Sequence, residues 1–394
     1  MGSIVSLGIG NLEIDWGKNN HFINHSCLFR LSDKKIINYH TYEGKTYEET
    51  GFSSPLKDVK LRLDLLGYSL QDVEKIYNDS LKAYPDYYPD FNLPFEVFSK
   101  IISKIDIGNI NLNKDYPDYD LGEYVSKVIL SQKEFDELRE HINTDDNDIT
   151  TFFENLHPYV QLRLLAENTD NHNLLLEWRT NDIVEGGWVT EDELFEELPD
   201  EQKFLIVTEG SSDAFIIRRA IELLRPDIYD FFTFIDMEEH YPFSGTGNLY
   251  KFFQGLVSIK MLNKCLFVFD NDAEGIEKYE KAKTINAPSN LKVTKLPDLE
   301  EFSNFLTVGP NGKQRANTNG KAVAIECFLD LSFKTKNEPI IRWSSYKSSL
   351  DSYQGALEEK EFYTKQFKKV GSVDKEYNFD KLKILVEHIV DSCI

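Results

Sequence analysis

Residues 265–282 read CLFVFDNDAEGIEKYEKA: a mostly apolar run, then Asp270 and Asp272 on either side of one asparagine. Two carboxylates one residue apart project to the same side of an extended chain end, where their repulsion raises one pKa unless a cation lies between them. A hard divalent ion such as Mg2+ or Mn2+ removes that repulsion. It prefers oxygen ligands and takes one or two protein carboxylates, leaving water and a substrate phosphate to complete its shell. About sixty residues upstream, TEGSSD ends another apolar run with Glu209 and places Asp213 four positions later. One turn of helix brings both carboxylates to one edge. Glu209, Asp213, Asp270 and Asp272 are therefore candidate ligands for one or two metals. Such an arrangement serves phosphodiester hydrolysis by activating water and stabilising the leaving oxygen. Each motif alone has a plainer reading: a solvated turn for DxD, a helix cap for Asp213, a tight loop for Gly245 and Gly247 in SGTGN. Their order on successive strands of one unit favours the metal site.

The elements that must position these acids begin near residue 203. KFLIVTEG, DFFTFIDM, KCLFVFDND and LKVTKLP read as strands, alternating with the helical stretches SDAFIIRRAIELLR, NLYKFFQGLVSIKML and EGIEKYEKAKTI. Runs that are continuously apolar imply strands buried on both faces, hence an α/β domain with a parallel-type sheet and helices on both faces. In such sheets functional groups gather outside the carboxyl ends of the strands, where all four acids fall. The first half reads differently. SIVSLGIG and LEIDWG, separated by Gly-Asn, predict an N-terminal β-hairpin, with a strand or two through 26–43. From about 56 the spacing is helical: LKDVKLRLDLLG, SLQDVEKIYNDSLKAY with Ser69 as a cap, PFEVFSKIISKI, SQKEFDELREHI and DITTFFENLHPYVQLRLLAEN. Residues 105–121 read as a polar loop. Residues 169–203 read as a boundary holding one short helix capped near Thr190. The division expected is 1–200, hairpin and helical; 201–300, α/β; and 301–394, an extension that completes the site.

Composition narrows the partners. The 394 residues carry a net charge of -23, which argues against coating nucleic acid by charge alone. A local surplus occurs at 331–383, with 11 Lys or Arg against 8 Asp or Glu. Four cysteines with no CxxC spacing suggest neither zinc nor a disulfide framework and fit a reducing, cytoplasmic compartment. No membrane association is expected, because no apolar run reaches the length of a spanning helix and the N-terminus lacks a basic start before an apolar core.

TEGSSD, SGTGN and FVFDND together resemble the Toprim domain shared by topoisomerases, primases and nucleases of the "overcoming lysogenization defect" type, the glutamate-then-aspartate spacing being most similar to the nuclease branch. The resemblance implies Glu209 as the acidic residue of the first motif and Asp270 and Asp272 as the metal-binding pair. It also implies a lysine assisting at the scissile phosphate, for which Lys360 in YQGALEEKEFYTKQFKK is the candidate. Glu326 in NGKAVAIECFLDL is a further candidate ligand, with Asp298, Glu300 and Glu301 as rivals. MGSIVSLGIGNLEIDWGK and GFSSPLKDVKLRLDLLGY resemble the HEPN/Toprim-associated N-terminal domain, found ahead of Toprim in bacterial proteins suspected of anti-phage defence. Catalytic HEPN ribonucleases carry an arginine followed after four to six residues by a histidine. Arg139 and His141 are too close for this, and Arg163 and His172 too far apart, so the HEPN-like part is expected to be a scaffold or oligomerisation module. The expected activity is a Mg2+- or Mn2+-dependent nuclease acting on DNA or RNA, in defence or as a toxin. Its expected company is a homo-oligomer with a separate ATPase or antitoxin, since EGKTYEE and SGTGNLYK lack a complete phosphate-binding loop. The alternative is a non-catalytic Toprim-fold subunit that regulates a partner. A topoisomerase, a primase and a dehalogenase-type phosphatase each lack a required further motif or strand order.

Overall fold

Inward-pointing apolar residues at both ends of the first half of the chain become the strands of one sheet. In the computed structural model, the residues described are 7–10, 12–15, 23–40, 46–83, 93–110, 121–139, 146–187, 189–235, 245–348, 350, 352–371 and 374–394. They fall into two units, Met1–Glu197 and Leu198–Ile394. In the first unit β1 (Leu7–Ile9), β2 (Leu12–Glu13), β3 (Lys34–His40), β4 (Thr46–Pro55) and β5 (Leu175–Arg179) form an antiparallel sheet in the order β2-β1-β5-β4-β3. β1 pairs with β2 with Gly8 opposite Glu13 and Ile9 opposite Leu12. The stretch expected as an interdomain boundary thus contains β5, the central strand of this sheet. Its only fully buried side chains are Leu176 and Trp178, too few to show a period against the polar residues around them. Phe29 and Phe52 pack on the Trp178 indole, with centroids 6.3 and 5.6 Å away. β4 also lies outside the expected strands, because TYEETGFSSP reads as polar.

Between β4 and β5 the described residues are mainly helical. Leu56–Leu66 ends at Gly67, whose φ of 95° is the left-handed C-cap that glycine adopts without strain. In Leu70–Ala83 the Ser69 hydroxyl accepts the Asp72 N–H at 3.4 Å, completing the N-terminal turn. Phe95–Ile102, Lys133–Arg139, Asp146–Asn155 and Pro158–Leu165 follow. Of the expected polar loop, residues 111–120 lie outside those described. Arg163, buried, donates to Asp64 at 2.6 Å and to Glu167 at 2.5 Å, and His172 Nε2 lies 2.9 Å from the Ala166 carbonyl. Both side chains thus tie the helices to one another. A buried polar chain does the same for the sheet. His25 lies 3.1 Å from Asp15 and 3.0 Å from the Tyr159 hydroxyl, which lies 3.3 Å from Cys27 Sγ.

The second unit starts with β6 (Phe204–Val207), β7 (Phe232–Phe234), β8 (Lys264–Phe269), β9 (Asn271–Asp272) and β10 (Leu291–Lys295). Four of these make a wholly parallel sheet, β10-β8-β6-β7. Both its faces are covered. Cys265, Phe267 and Phe269 share a core with Leu249, Phe253 and Leu256 of the Thr246–Ser258 helix and Ala282 of Ala273–Lys283. The alternate residues Leu266 and Val268 point the other way and are equally buried. On that face Lys292 donates to the Cys393 carbonyl at 2.9 Å and Thr294 meets His388 at 2.9 Å, docking the Asp380–Cys393 helix. Burying each such phenylalanine contributes about 1.5 to 3 kcal/mol. Residues beyond 300 belong to the same unit. β11 (Phe305–Gly309), β12 (Gly312–Ala316), β14 (Ile341–Lys347) and β15 (Ser352–Leu357) form a mixed sheet, β12-β11-β14-β15, while β13 (Ala322–Val323) pairs with β9.

Candidate metal centre

Because β6 and β8 are parallel and in register, with Val207 beside Phe267, the residues after them emerge at one edge. Glu209 and Asp270 therefore meet although 61 residues separate them: Glu209 Oε1 accepts the Asp270 N–H at 3.1 Å. The other carboxylate oxygen accepts from the Thr246 hydroxyl at 2.5 Å, and the Glu209 carbonyl accepts the Gly245 N–H at 2.8 Å. Gly245 has φ 89°, the left-handed region that favours glycine, and opens the Thr246–Ser258 helix. Gly245 thus acts through turn geometry, and the threonine between the two glycines of SGTGN contacts the acid.

Asp213 and Asp272 each cap the helix they begin. Asp213 accepts the Gly210 N–H at 2.9 Å and the Ser212 hydroxyl at 3.2 Å in the first turn of Ser211–Leu224. Asp272 accepts the Gly275 N–H at 2.8 Å through one oxygen and the Gln354 amide through the other. The residue between the two aspartates is fully buried. Asn271 donates to Asp298 at 2.6 Å and accepts the Gly320 N–H at 2.8 Å, pinning the turn from both sides. Asp298 is thus a brace for this turn, and Glu301 pairs with Lys381 at 3.2 Å.

Asp270 has a different environment. Among the described residues its carboxylate takes no hydrogen bond, and its neighbours are Asp213, Glu209, Asp272 and Lys360. Burial first, and then the three acids, push its carboxyl well above the ordinary range, against the pull of Lys360. Burial likewise raises Glu209 to about 7 and Asp213 to about 7, with Glu326 and Glu209 adding to the second. Asp272 is raised by burial too, against the hydrogen bonds from Gly275 and Gln354. These acids share protons as a set. Lys360 is the cation within it. Burial would lower its ammonium, but Glu326 and Asp270 outweigh burial and raise it.

Glu326 sits on a buried 3₁₀ turn, Ile325–Phe328, with Oε2 3.4 Å from Lys360 Nζ and, among the described residues, no hydrogen bond to that oxygen. Lys360 opens the Lys360–Phe367 helix directly after Glu359, whose φ of 58° is uncommon for a residue with a side chain. That turn aims Lys360 back at the acids. The geometry therefore gathers Glu209, Asp213, Asp270, Glu326 and Lys360, and holds Asp272 to its cap and to Gln354. Among the described residues, no three His, Cys, Asp or Glu stand in a metal-holding arrangement. The donor chemistry, carboxylate oxygens with one lysine, is that of a hard divalent cation. Thr246, Asn271 and Gln354 complete the site and carry no residue-type signal of their own. Their one clue is adjacency, inside SGTGN, FDND and YQG.

The comparisons bear on the first unit. The family described as HEPN/Toprim N-terminal domain 1 matches residues 1–202. No curated protein and no solved structure matches the chain. Through its first 202 residues, the chain belongs to the HEPN/Toprim N-terminal domain 1 family.

Proposed function

We propose that the second unit is a Toprim-type nuclease that hydrolyses phosphodiesters of DNA or RNA with Mg2+ or Mn2+. The observation that carries this reading is Asp270, a carboxylate among three acids that serves no cap or brace among the described residues. Asp213, Asp270 and Asp272 would hold the ion with Glu209 and Glu326. When bound, it supplies activation of water and charge for the leaving oxygen. Glu209, held near 7, is suited to move a proton at neutral pH. Lys360, charged and next to Asp270, is suited to neutralise the phosphate on which charge develops. The cellular role that fits the family is an effector in bacterial anti-phage defence or a toxin, cytoplasmic, self-assembling, and restrained by a separate ATPase or antitoxin. A second reading, a non-catalytic Toprim-fold subunit acting through a partner, draws on the acids being tied to their own helix caps.

The test is incubation of purified protein with plasmid, linear DNA, tRNA and total RNA, with and without Mg2+ or Mn2+, beside Asp270→Asn and Glu209→Gln. Cleavage that requires the ion and falls about a hundredfold or more in both variants is expected. Cleavage without metal, or equal cleavage by the variants, sinks the mechanism. Absence of cleavage with stable capture of a second protein supports the subunit reading.

A further inference from the structure

Beside the acids, the β12-β11-β14-β15 sheet carries three aromatic rings on one face. Tyr346 and Tyr353 are directly paired across β14 and β15, with ring centroids 5.1 Å apart, and are 51% and 47% exposed. Trp343 lies 6.2 Å from Tyr353. Residues three apart on a strand normally point to opposite faces. Here a register shift between Trp343 and Ser345 inserts one residue and returns Tyr346 to the face of Trp343. The indole lies against backbone that has no side chain to obstruct it. A Cβ at Gly309 would approach its Cδ1 to 3.0 Å, and one at Gly355 would approach its Cε3 to 2.9 Å. The rings and Lys321 line one groove of about 290 Å³.

One lysine, Lys321, lines this groove, with no Asp or Glu among the described lining residues. Around it the segments 309–321 and 341–350 hold Lys313, Arg315, Lys321, Arg342 and Lys347 and not one Asp or Glu, in a chain of net charge -23, although Arg315, Arg342 and Lys347 pair with Glu338, Glu358 and Glu274 and Lys313 lines a separate cavity. Lys313 and Lys321 are exposed. The groove adjoins the candidate metal centre through the backbone: Lys321 is bridged to Asp272, whose carboxylate takes the Gln354 amide from the opposite face of β15 to Tyr353.

We infer that this groove binds the unpaired bases of a single-stranded nucleic acid. Flat rings receive base faces and Lys321 receives a phosphate, which is the chemistry of sequence-tolerant single-strand binding. A paired duplex hides its base faces and cannot use the rings. The inference deepens the nuclease reading, which supplies the reason for nucleic acid to reach this edge, yet none of the candidate ligands lines the groove.

The test uses full-length protein with EDTA, and fluorescence anisotropy of labelled oligothymidylate, oligouridylate and a duplex of equal length. Both single strands are expected to bind better than the duplex, and the ratio of DNA to RNA affinity identifies the sugar carried. Tyr353→Ala and Tyr346→Ala are expected to weaken single-strand binding about tenfold each, with Tyr353→Phe close to the parent. Lys321→Ala is expected to reduce the slope of log affinity against log salt by about 1. Equal binding of the duplex, or no effect of either alanine variant, overturns the inference. Asp270→Asn separates the two claims: it abolishes cleavage under the nuclease reading and leaves this binding intact. Binding by a protein that never cleaves therefore keeps the groove and removes the nuclease.

Discussion

At the scale of single residues, the two units use ionisable groups in opposite ways. In the second unit, acids are crowded until protonation or a cation relieves them, Asp270 most of all. In the first unit His157 is kept neutral for a structural purpose. Its Nδ1 accepts the Tyr159 N–H at 3.3 Å as the N-cap of Pro158–Leu165, and its Nε2 lies 3.3 Å from the Tyr68 hydroxyl. Burial, then the neighbouring His25, lowers its pKa from 6.5 to about 4, against a smaller opposite pull from Asp15. A proton on Nδ1 would remove the cap. Since the unfolded chain binds that proton more readily, the stabilising contribution is present above pH 6.5 and is lost as pH falls through about 4. The loss is expected to reach at most about 3 kcal/mol. Hydrogen exchange in peptides from 146–187 should speed up across that window. His157→Asn, which keeps an acceptor that does not titrate, should flatten the dependence.

At the scale of elements, the site depends on turns that allow close approach of one backbone to another. A Cβ at Gly275 would lie 2.0 Å from the Asp270 carbonyl oxygen and 2.8 Å from its carbon, so the first turn of Ala273–Lys283 packs on the end of β8 only through glycine. Gly275→Ala must push the Asp270 turn outward and strain the Asn271 braces. A loss of about 2 to 3 kcal/mol is expected in denaturant melts, together with weaker divalent-ion affinity. A melt and an affinity equal to the parent's would refute the close approach. The DxD motif was legible in the sequence as chemistry, but its glycine was not, because nothing local reveals which backbone a helix turn will touch. Lys360 likewise depends on the Glu359 turn, which brings a helix from beyond residue 350 to the strand ends.

At the scale of the whole molecule, a metal at the acids should stabilise the unit that carries them. Saturating Mg2+ or Mn2+, at about a hundred times its dissociation constant, is expected to add about 2.7 kcal/mol to the second unit. For a unit of this size that is a rise of roughly 5 to 10 °C in its melting temperature. Thermal melts read by hydrogen exchange in peptides from 198–235 should show the shift, reversed by EDTA. No shift in those peptides would count against a metal at these acids.

Most of the second unit's strand and helix order was written in continuous apolar runs, since strands buried on both faces need them. That composition alone determined the α/β character of 203–300 and placed Glu209 and Asp270 just after strands. The sequence did not disclose β5, whose inward face is two residues long, nor the sheet that draws residues beyond 300 into the same unit. Only the tertiary structure decided that Asp213 and Asp272 cap their helices while Asp270 takes no hydrogen bond among the described residues. Only it brought Lys360 to Asp270 across ninety residues. The physical reason is that hydrophobic periodicity is local, whereas the field at a carboxylate is set by whatever the folded chain packs around it.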